Sequence, residues 1–261
     1  MIPFMKPKIS VMITCSNAQK TLSAACESVI WADEIIIVDS GSTDQTPQIA
    51  ETYATKYVVE PWRGYTGQKQ FGCSLASNEW VFVLDSDEVV SKPLANAIQT
   101  LTQETLDEHD VFFVKRKNYV YGKHVRAWDP DWQSRLIHKD RVIWKEHALH
   151  EGRKGQTPER EGKLKGQLLH KPTGPAEFTD YFSGDRLDKR LLPVAREMFA
   201  KGKRCHSWDL LFRPVLAFLK FYFIKLGFLS GNFGLMMAQK ASTSTQLKYA
   251  ALWYVQKFES K

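Results

Sequence analysis

Three carboxylates stand within four residues of one another at Asp85, Asp87 and Glu88, directly after the apolar run Trp80-Val81-Phe82-Val83-Leu84. Five apolar residues in succession predict a strand buried on both faces. Such a strand delivers its last side chains to one edge of a sheet. Carboxylates gathered there lose solvation and repel one another, so they require compensating positive charge. Mg2+ or Mn2+ would supply it, because these ions prefer carboxylate oxygens and share them with substrate phosphates. The D-x-D spacing alone equally describes a solvated acidic loop that opens the next helix. The elements around it decide.

Those elements alternate. Ile9–Thr14 predicts a first strand, and 21–30 a helix. Glu34-Ile35-Ile36-Ile37-Val38-Asp39 predicts a second buried strand that again closes on a carboxylate, followed by the loop Ser40-Gly41-Ser42-Thr43-Asp44. Thr46-Pro47 has the form of a helix start, with a helix to about Ala54. Strands are expected over 56–60, 80–85 and 111–116, with helices over 67–76 and 93–103. Strand–helix alternation of this kind predicts βαβ units and a mostly parallel sheet flanked by helices. Ligands of such sheets bind outside the carboxyl ends of the strands, where Asp39 and Asp85 both fall. The chain contains neither GxGxxG nor GxxxxGK[ST], so phosphate would be held by metal and side chains rather than by a glycine cradle. That argues against a dehydrogenase or an ATPase.

From Tyr119 to His170 the chain is rich in aromatic, histidine and charged residues, including Trp128-Asp129-Pro130-Asp131-Trp132-Gln133, Trp144-Lys145-Glu146-His147-Ala148-Leu149-His150-Glu151 and Leu168-Leu169-His170. Periodicity is poor there. The composition suits loops around a hydroxylated ligand, with aromatic rings against sugar faces, and it equally suits surface loops. A helix is expected over 177–201.

Bulk properties narrow the class. At 261 residues and 43% hydrophobic content the chain can build a substantial core. Its four cysteines are scattered without a CxxC pair, which speaks against zinc and for reduced thiols. The segment Met1–Lys8 has no apolar stretch of the kind a signal peptide needs. The net charge of +7 is placed unevenly. Residues 201–261 hold ten Lys or Arg against two acids, a net of +8, so the preceding 200 residues sum to −1.

That basic segment is also aromatic from Trp208 to Ala238, interrupted by Arg213-Pro214, Lys220, Lys225 and several glycines. A spanning helix needs about 20 mostly apolar residues, and no run here reaches that. Helices lying in a membrane interface are expected instead, with cations at headgroup level and Phe, Leu and Trp below. A core-packing helical hairpin is the alternative. Because the basic residues interleave with Phe and Leu rather than with exposed stacking platforms, no nucleic-acid partner is expected. These readings divide the chain at 1–200 and 201–261.

Ile9–Thr14, Trp31-Ala32-Asp33-Glu34, Val38-Asp39-Ser40-Gly41-Ser42-Thr43-Asp44, Gly67-Gln68-Lys69-Gln70-Phe71-Gly72 and Val83-Leu84-Asp85-Ser86-Asp87-Glu88 together resemble the family 2 glycosyltransferases of GT-A fold. Within these the chain is most similar to bacterial lipopolysaccharide-core glucosyltransferases acting on inner-core heptose. The resemblance runs from about residue 8 to 240. It implies a UDP-sugar donor, a divalent ion and an inverting transfer to a lipid-linked saccharide, on the cytoplasmic face of the inner membrane. By the same resemblance Asp39 and Lys69 line the nucleotide pocket and Asp85 lies near the ribose and the ion. Asp87 and His170 would hold the ion and Glu151 would be the catalytic base, with Glu146 the second candidate. Pro130-Asp131-Trp132-Gln133 and Arg135 also match. Arg126-Ala127-Trp128 departs from the pattern, where a glycine-containing turn is expected. Transfer to a polyprenyl phosphate, or a non-catalytic assembly module of the same fold at the membrane, are the alternative readings.

Overall fold

A computed structural model describes residues 6–145, 152–154, 157–170 and 191–259. The chain divides into two compact units, Met1–His124 with Pro130–His147 and Glu151–Pro175, and Val125–Asp129 with Ala148–His150 and Ala176–Lys261.

In chain order the first unit contains β1 (Ile9–Cys15), α1 (Leu22–Glu27), β2 (Glu34–Asp39), α2 (Thr46–Tyr53), β3 (Lys56–Val59), α3 (Gly64–Ser74), β4 (Trp80–Asp85), β5 (Glu88–Val90), α4 (Lys92–Gln99), α5 (Gln103–Asp107), β6 (Val111–Val120), β7 (Lys123–His124), β8 (Asp131–His138), β9 (Ile143–Lys145), β10 (Gly152–Lys154) and β11 (Glu161–His170). The described residues form a nine-stranded sheet of order β3-β2-β1-β4-β8-β6-β11-β5, with β7 paired to β6, and a separate β9–β10 hairpin. The first four strands are parallel, as the strand–helix alternation predicts. Beyond them β8 enters antiparallel between β4 and β6, β11 runs parallel to β6, and β5 closes the edge antiparallel.

The uninterrupted apolar runs of β1, β2 and β4 have one physical cause: both faces of the sheet are covered. Val11, Ile13, Ile37, Phe82 and Leu84 pack against Leu22, Ala25, Leu94, Ile98 and Leu106 from α1, α4 and α5. Met12, Ile36, Val38, Val81 and Val83 face the other way and pack with Cys73 and Ala76, at and just beyond the end of α3. Gly72 permits that second contact. A Cβ there would stand 2.6 Å from Met12 Sδ, so a larger residue would force Met12 or α3 to shift.

The region expected to be loops over 119–170 instead supplies two long sheet strands, β8 and β11. On β8 the polar Asp131 and Gln133 precede a buried stretch from Ser134 to His138. Along β11 lysines and glycines are mixed with Leu164 and Leu168. Neither strand shows the continuous apolar run that made β2 and β4 recognisable.

In the second unit, α6 (Leu192–Ala200), α7 (Ser207–Leu219) and α8 (Gly231–Tyr254) share a small core of Ala195, Cys205, Tyr249, Leu252 and Val255. A π-type turn over Lys220–Ile224 and a short 3-10 turn over Gly227–Ser230 connect α7 to α8. Among the described residues no helix is long and apolar enough to cross a membrane. The expected helix over 177–201 falls outside the described residues until 191.

Candidate active site

The site is assembled by strand register. Cys15 of β1 lies opposite Asp39 of β2, and Thr14 lies opposite Asp85 of β4. The two aspartates therefore flank the carboxyl end of β1.

Asp39 is fully buried. Its Oδ1 accepts from the Ser42 backbone N–H at 3.0 Å and the Ser42 hydroxyl at 2.6 Å, and its Oδ2 from the Tyr57 hydroxyl at 2.8 Å. Gly41, with φ of +89°, makes the turn that brings Ser42 back. Burial, reinforced by the Asp39 carboxylate, pushes the Tyr57 phenol far above its ordinary range, so it remains a donor. The same loop is tied to the end of β1, because Asn17 N–H donates to Ser42 Oγ and Thr43 N–H donates to Asn17 Oδ1. Asp39 thus shapes the polar surface of 40–44 from beneath.

Asp85 is held by two cations. Lys69 of α3, almost wholly buried, places Nζ 2.9 Å from Oδ1, and Arg135 of β8 places Nη2 2.9 Å from Oδ2. Burial opposes ionisation of Asp85, but Lys69 and Arg135 outweigh it and hold the carboxyl far below the usual carboxylate range. The same Arg135 nitrogen lies 2.6 Å from Glu88 Oε1, which Arg116 of β6 also approaches at 3.3 Å. Burial pushes the Glu88 carboxyl up against the pull of these cations.

The charge that the acidic run requires therefore comes, for two of its three carboxylates, from the protein itself. Sequence reasoning assigned it to a metal ion alone and missed Arg135 and Arg116 as the cations that close the cluster. One signal was available: Asp131, Gln133 and Arg135 alternate as polar residues along one face of a strand.

Asp87 is different. Its side chain is 42% exposed, and its Oδ2 lies 3.1 Å from Nε2 of His170, at the end of β11. Burial disfavours the imidazolium, but the Asp87 carboxylate outweighs it and raises the His170 pKa above its ordinary value. The far ring nitrogen, Nδ1, lies 2.9 Å from Asn118 Oδ1. Asp87 and His170, 83 residues apart in sequence, are thus brought together as the resemblance implies. Glu151 and Glu146 lie outside the described residues.

A parallel sheet edge carrying buried acid–base pairs, with an open Asp–His pair beside them, defines a GT-A fold with a polar site at the carboxyl ends of its strands. The family model described as glycosyl transferase family 2 matches residues 10–158. The lipopolysaccharide core biosynthesis glycosyltransferase LpsC of Rhizobium meliloti is 32% identical over 236 residues, covering 85% of this chain and 83% of that protein. An uncharacterized glycosyltransferase of Rickettsia bellii is 45% identical over 93 residues, 35% of this chain and 32% of the other. Among solved structures, TarS 1-349 of S. aureus in complex with UDP-GlcNAc aligns with a TM-score of 0.45 at 17% identity, over 96% of this chain and 92% of that one. The chain belongs to the family 2 glycosyltransferases, and it is a glycosyltransferase.

Proposed function

We propose that this chain transfers a sugar, glucose by the resemblance, from a UDP-sugar to a hydroxyl of a lipopolysaccharide-core acceptor, with inversion and with the help of a divalent ion. The observation that carries the proposal is the division of labour in the acidic run. Asp85 and Glu88 are neutralised by Lys69, Arg135 and Arg116, while Asp87 remains open beside His170. The core acceptor is taken from the similarity to the Rhizobium meliloti protein.

The residues present fit an ion in a limited way. No group of three His, Cys, Asp or Glu side chains converges on one point among the described residues. Asp87 and His170 offer one carboxylate oxygen and one imidazole nitrogen. That suits Mg2+ or Mn2+ if diphosphate oxygens and water fill the other positions, the usual arrangement for Mg2+ at phosphate sites. Bound there, the ion would supply neutralisation of charge on the departing nucleoside diphosphate. In this reading Lys69 and Asp85 form the ribose side of the donor pocket. Asp39 acts with the 40–44 loop it shapes on the base side. Glu151 removes the proton of the acceptor hydroxyl as that oxygen attacks the anomeric carbon from the face opposite the leaving group. No covalent intermediate with the protein is required.

An interfacial position on the cytoplasmic face of the inner membrane completes the reading. Trp208, Leu211, Phe212, Val215, Leu216 and Leu219 recur at helical spacing along α7 and are all exposed, as are Phe223 and Ile224 beyond it. An unbroken exposed apolar stripe of this length suits a lipid surface. Not every apolar residue of the segment points outward: Phe221 is buried, and Lys225 donates to the Ala127 carbonyl at 2.8 Å.

The test is a donor and acceptor panel. UDP-glucose, UDP-galactose and GDP-mannose are offered with core oligosaccharide, intact lipid-linked core or polyprenyl phosphate, in Mn2+ or in EDTA. Transfer from UDP-glucose to either core acceptor supports the proposal. Transfer to polyprenyl phosphate alone replaces it with the second reading, and no turnover of any pair points to the non-catalytic module.

A further inference from the structure

We propose that Asn118 is a positioning residue that locks His170 in the tautomer with the proton on Nδ1, leaving the Nε2 lone pair aimed at Asp87. The register of the sheet brings the parts together. On β11, His170 lies opposite Asn118 of β6 on one side and Glu88 of β5 on the other. Asp131 of β8 lies opposite Arg116, two residues from Asn118 on the same strand.

Hydrogen-bond logic then fixes the proton. Asp131 accepts from Arg116 Nε at 2.9 Å, and this guanidinium favours its ionised form. An ionised carboxylate only accepts, so the group 2.7 Å from Asp131 Oδ2 must be the NH2 of Asn118. The Asn118 oxygen consequently faces His170 Nδ1 at 2.9 Å, and Nδ1 must be the donor. In a neutral ring Nε2 is then unprotonated, 3.1 Å from the Asp87 carboxylate. Two acceptors at that distance repel unless a cation bridges them, either a proton, as in the imidazolium form, or a metal ion.

The opposite arrangement, with Nε2–H donating to Asp87, requires the Asn118 amide to turn over. That would set its carbonyl against Asp131, two acceptors facing each other at Asn118, which is only 4% exposed. Leaving such buried groups unmatched carries the full desolvation penalty. Asn118 therefore converts the charge pair Arg116–Asp131 into a defined direction for a lone pair on the far side of the imidazole. Orienting partners of this kind set the tautomer of metal-bound histidines.

The value of that direction rests on reading Asp87 and His170 as the ion site, so two measurements are needed. The first uses the metal-free full chain at a pH where the ring is neutral, and reads the His170 tautomer by long-range 1H–15N correlation. Wild type should show protonated Nδ1 and bare Nε2. Asn118→Ala should shift the ring toward protonated Nε2. The second titrates Mn2+ in the presence of UDP, where Asn118→Ala should weaken binding about 10–100-fold, the usual effect of removing an orienting partner. A wild-type ring protonated on Nε2 overturns the inference whether or not any variant folds. So does an Asn118→Ala protein with unchanged tautomer. If wild type shows protonated Nδ1 but binds no Mn2+ with UDP, the ion reading fails and the tautomer lock stands.

Discussion

Arg135 Nη2 lies 2.6 Å from Glu88 Oε1, and neither side chain has more than 2% of its surface exposed. The same nitrogen reaches Asp85, so one guanidinium group closes two carboxylates of the acidic run. Removing one partner of a buried pair strands the other charge, which costs about 3–5 kcal/mol. Arg135→Met should therefore lower unfolding free energy by about that amount in urea denaturation. Arg135→Lys should recover only part of it, since an ammonium lacks the planar fork of the guanidinium. A loss no larger than that of an exposed salt bridge, under about 1 kcal/mol, would show that the cluster does not depend on Arg135.

Asp87 should behave in the opposite way. Its side chain is half-exposed and lies beside His170 Nε2. Asp87→Ala should leave thermal stability nearly unchanged, abolish transfer and remove the dependence of UDP affinity on Mn2+. Full wild-type turnover in EDTA would exclude the ion from the reaction.

How far the site could be read from sequence follows from how each strand is covered. β2 and β4 are buried on both faces, so each is a continuous apolar run ending in an aspartate, and their register with β1 places Asp39 and Asp85 on one edge. β8 mixes polar site residues with core residues, and β11 mixes lysines and glycines with leucines, so composition alone suggested loops. Arg135 matches the family pattern, but its role as the counter-charge of Asp85 is not legible, because the two meet across 50 residues of chain through antiparallel pairing that strand–helix alternation does not announce. His170 was found through family resemblance, and periodicity gave no hint of it.

Glu34 links the fold to pH. Its carboxylate is buried and accepts from Ser10 Oγ at 2.5 Å, from Ser77 N–H at 2.8 Å and from Ser77 Oγ at 2.8 Å. Burial opposes ionisation, but these donors outweigh it and lower the pKa. A carboxyl whose folded pKa lies below its unfolded value, about 4.3, contributes stability above that value and loses it as pH falls through the folded pKa. Glu34→Gln should cost about 1–3 kcal/mol at neutral pH, because an amide offers one acceptor oxygen where two are used. It should also flatten the decline in stability below about pH 4.3. Urea melts of both proteins across the acid range provide the check, and an unchanged slope would remove Glu34 from the account.

The base assignment separates cleanly by substitution. Glu151→Gln should keep UDP binding and reduce turnover by about two orders of magnitude or more, the usual contribution of general-base catalysis. Glu146→Gln should have a small effect. If the two results are exchanged, Glu146 is the base.

The exposed stripe on α7 makes the last prediction. Truncation at residue 201 would separate α7 and α8 from Ala195 of α6, with which they share a core, so point substitutions are the better probe. Leu211 and Leu216 are exposed, and changing both to Glu should leave the melting temperature and UDP binding unchanged. Lys220 stands at the end of the stripe. A lysine at a bilayer centre costs at least ~2.5 kcal/mol, whereas at an anionic headgroup layer it gains roughly 1 kcal/mol. The exposed apolar side chains add an attraction that salt does not screen. Wild-type protein should therefore float with liposomes, more so as anionic lipid increases, and should remain partly bound at high salt. The Leu211→Glu, Leu216→Glu protein should stay in solution and glycosylate membrane-embedded acceptor poorly while still using soluble core oligosaccharide. Wild-type protein that ignores anionic liposomes would exclude the lipid surface as the partner of this stripe.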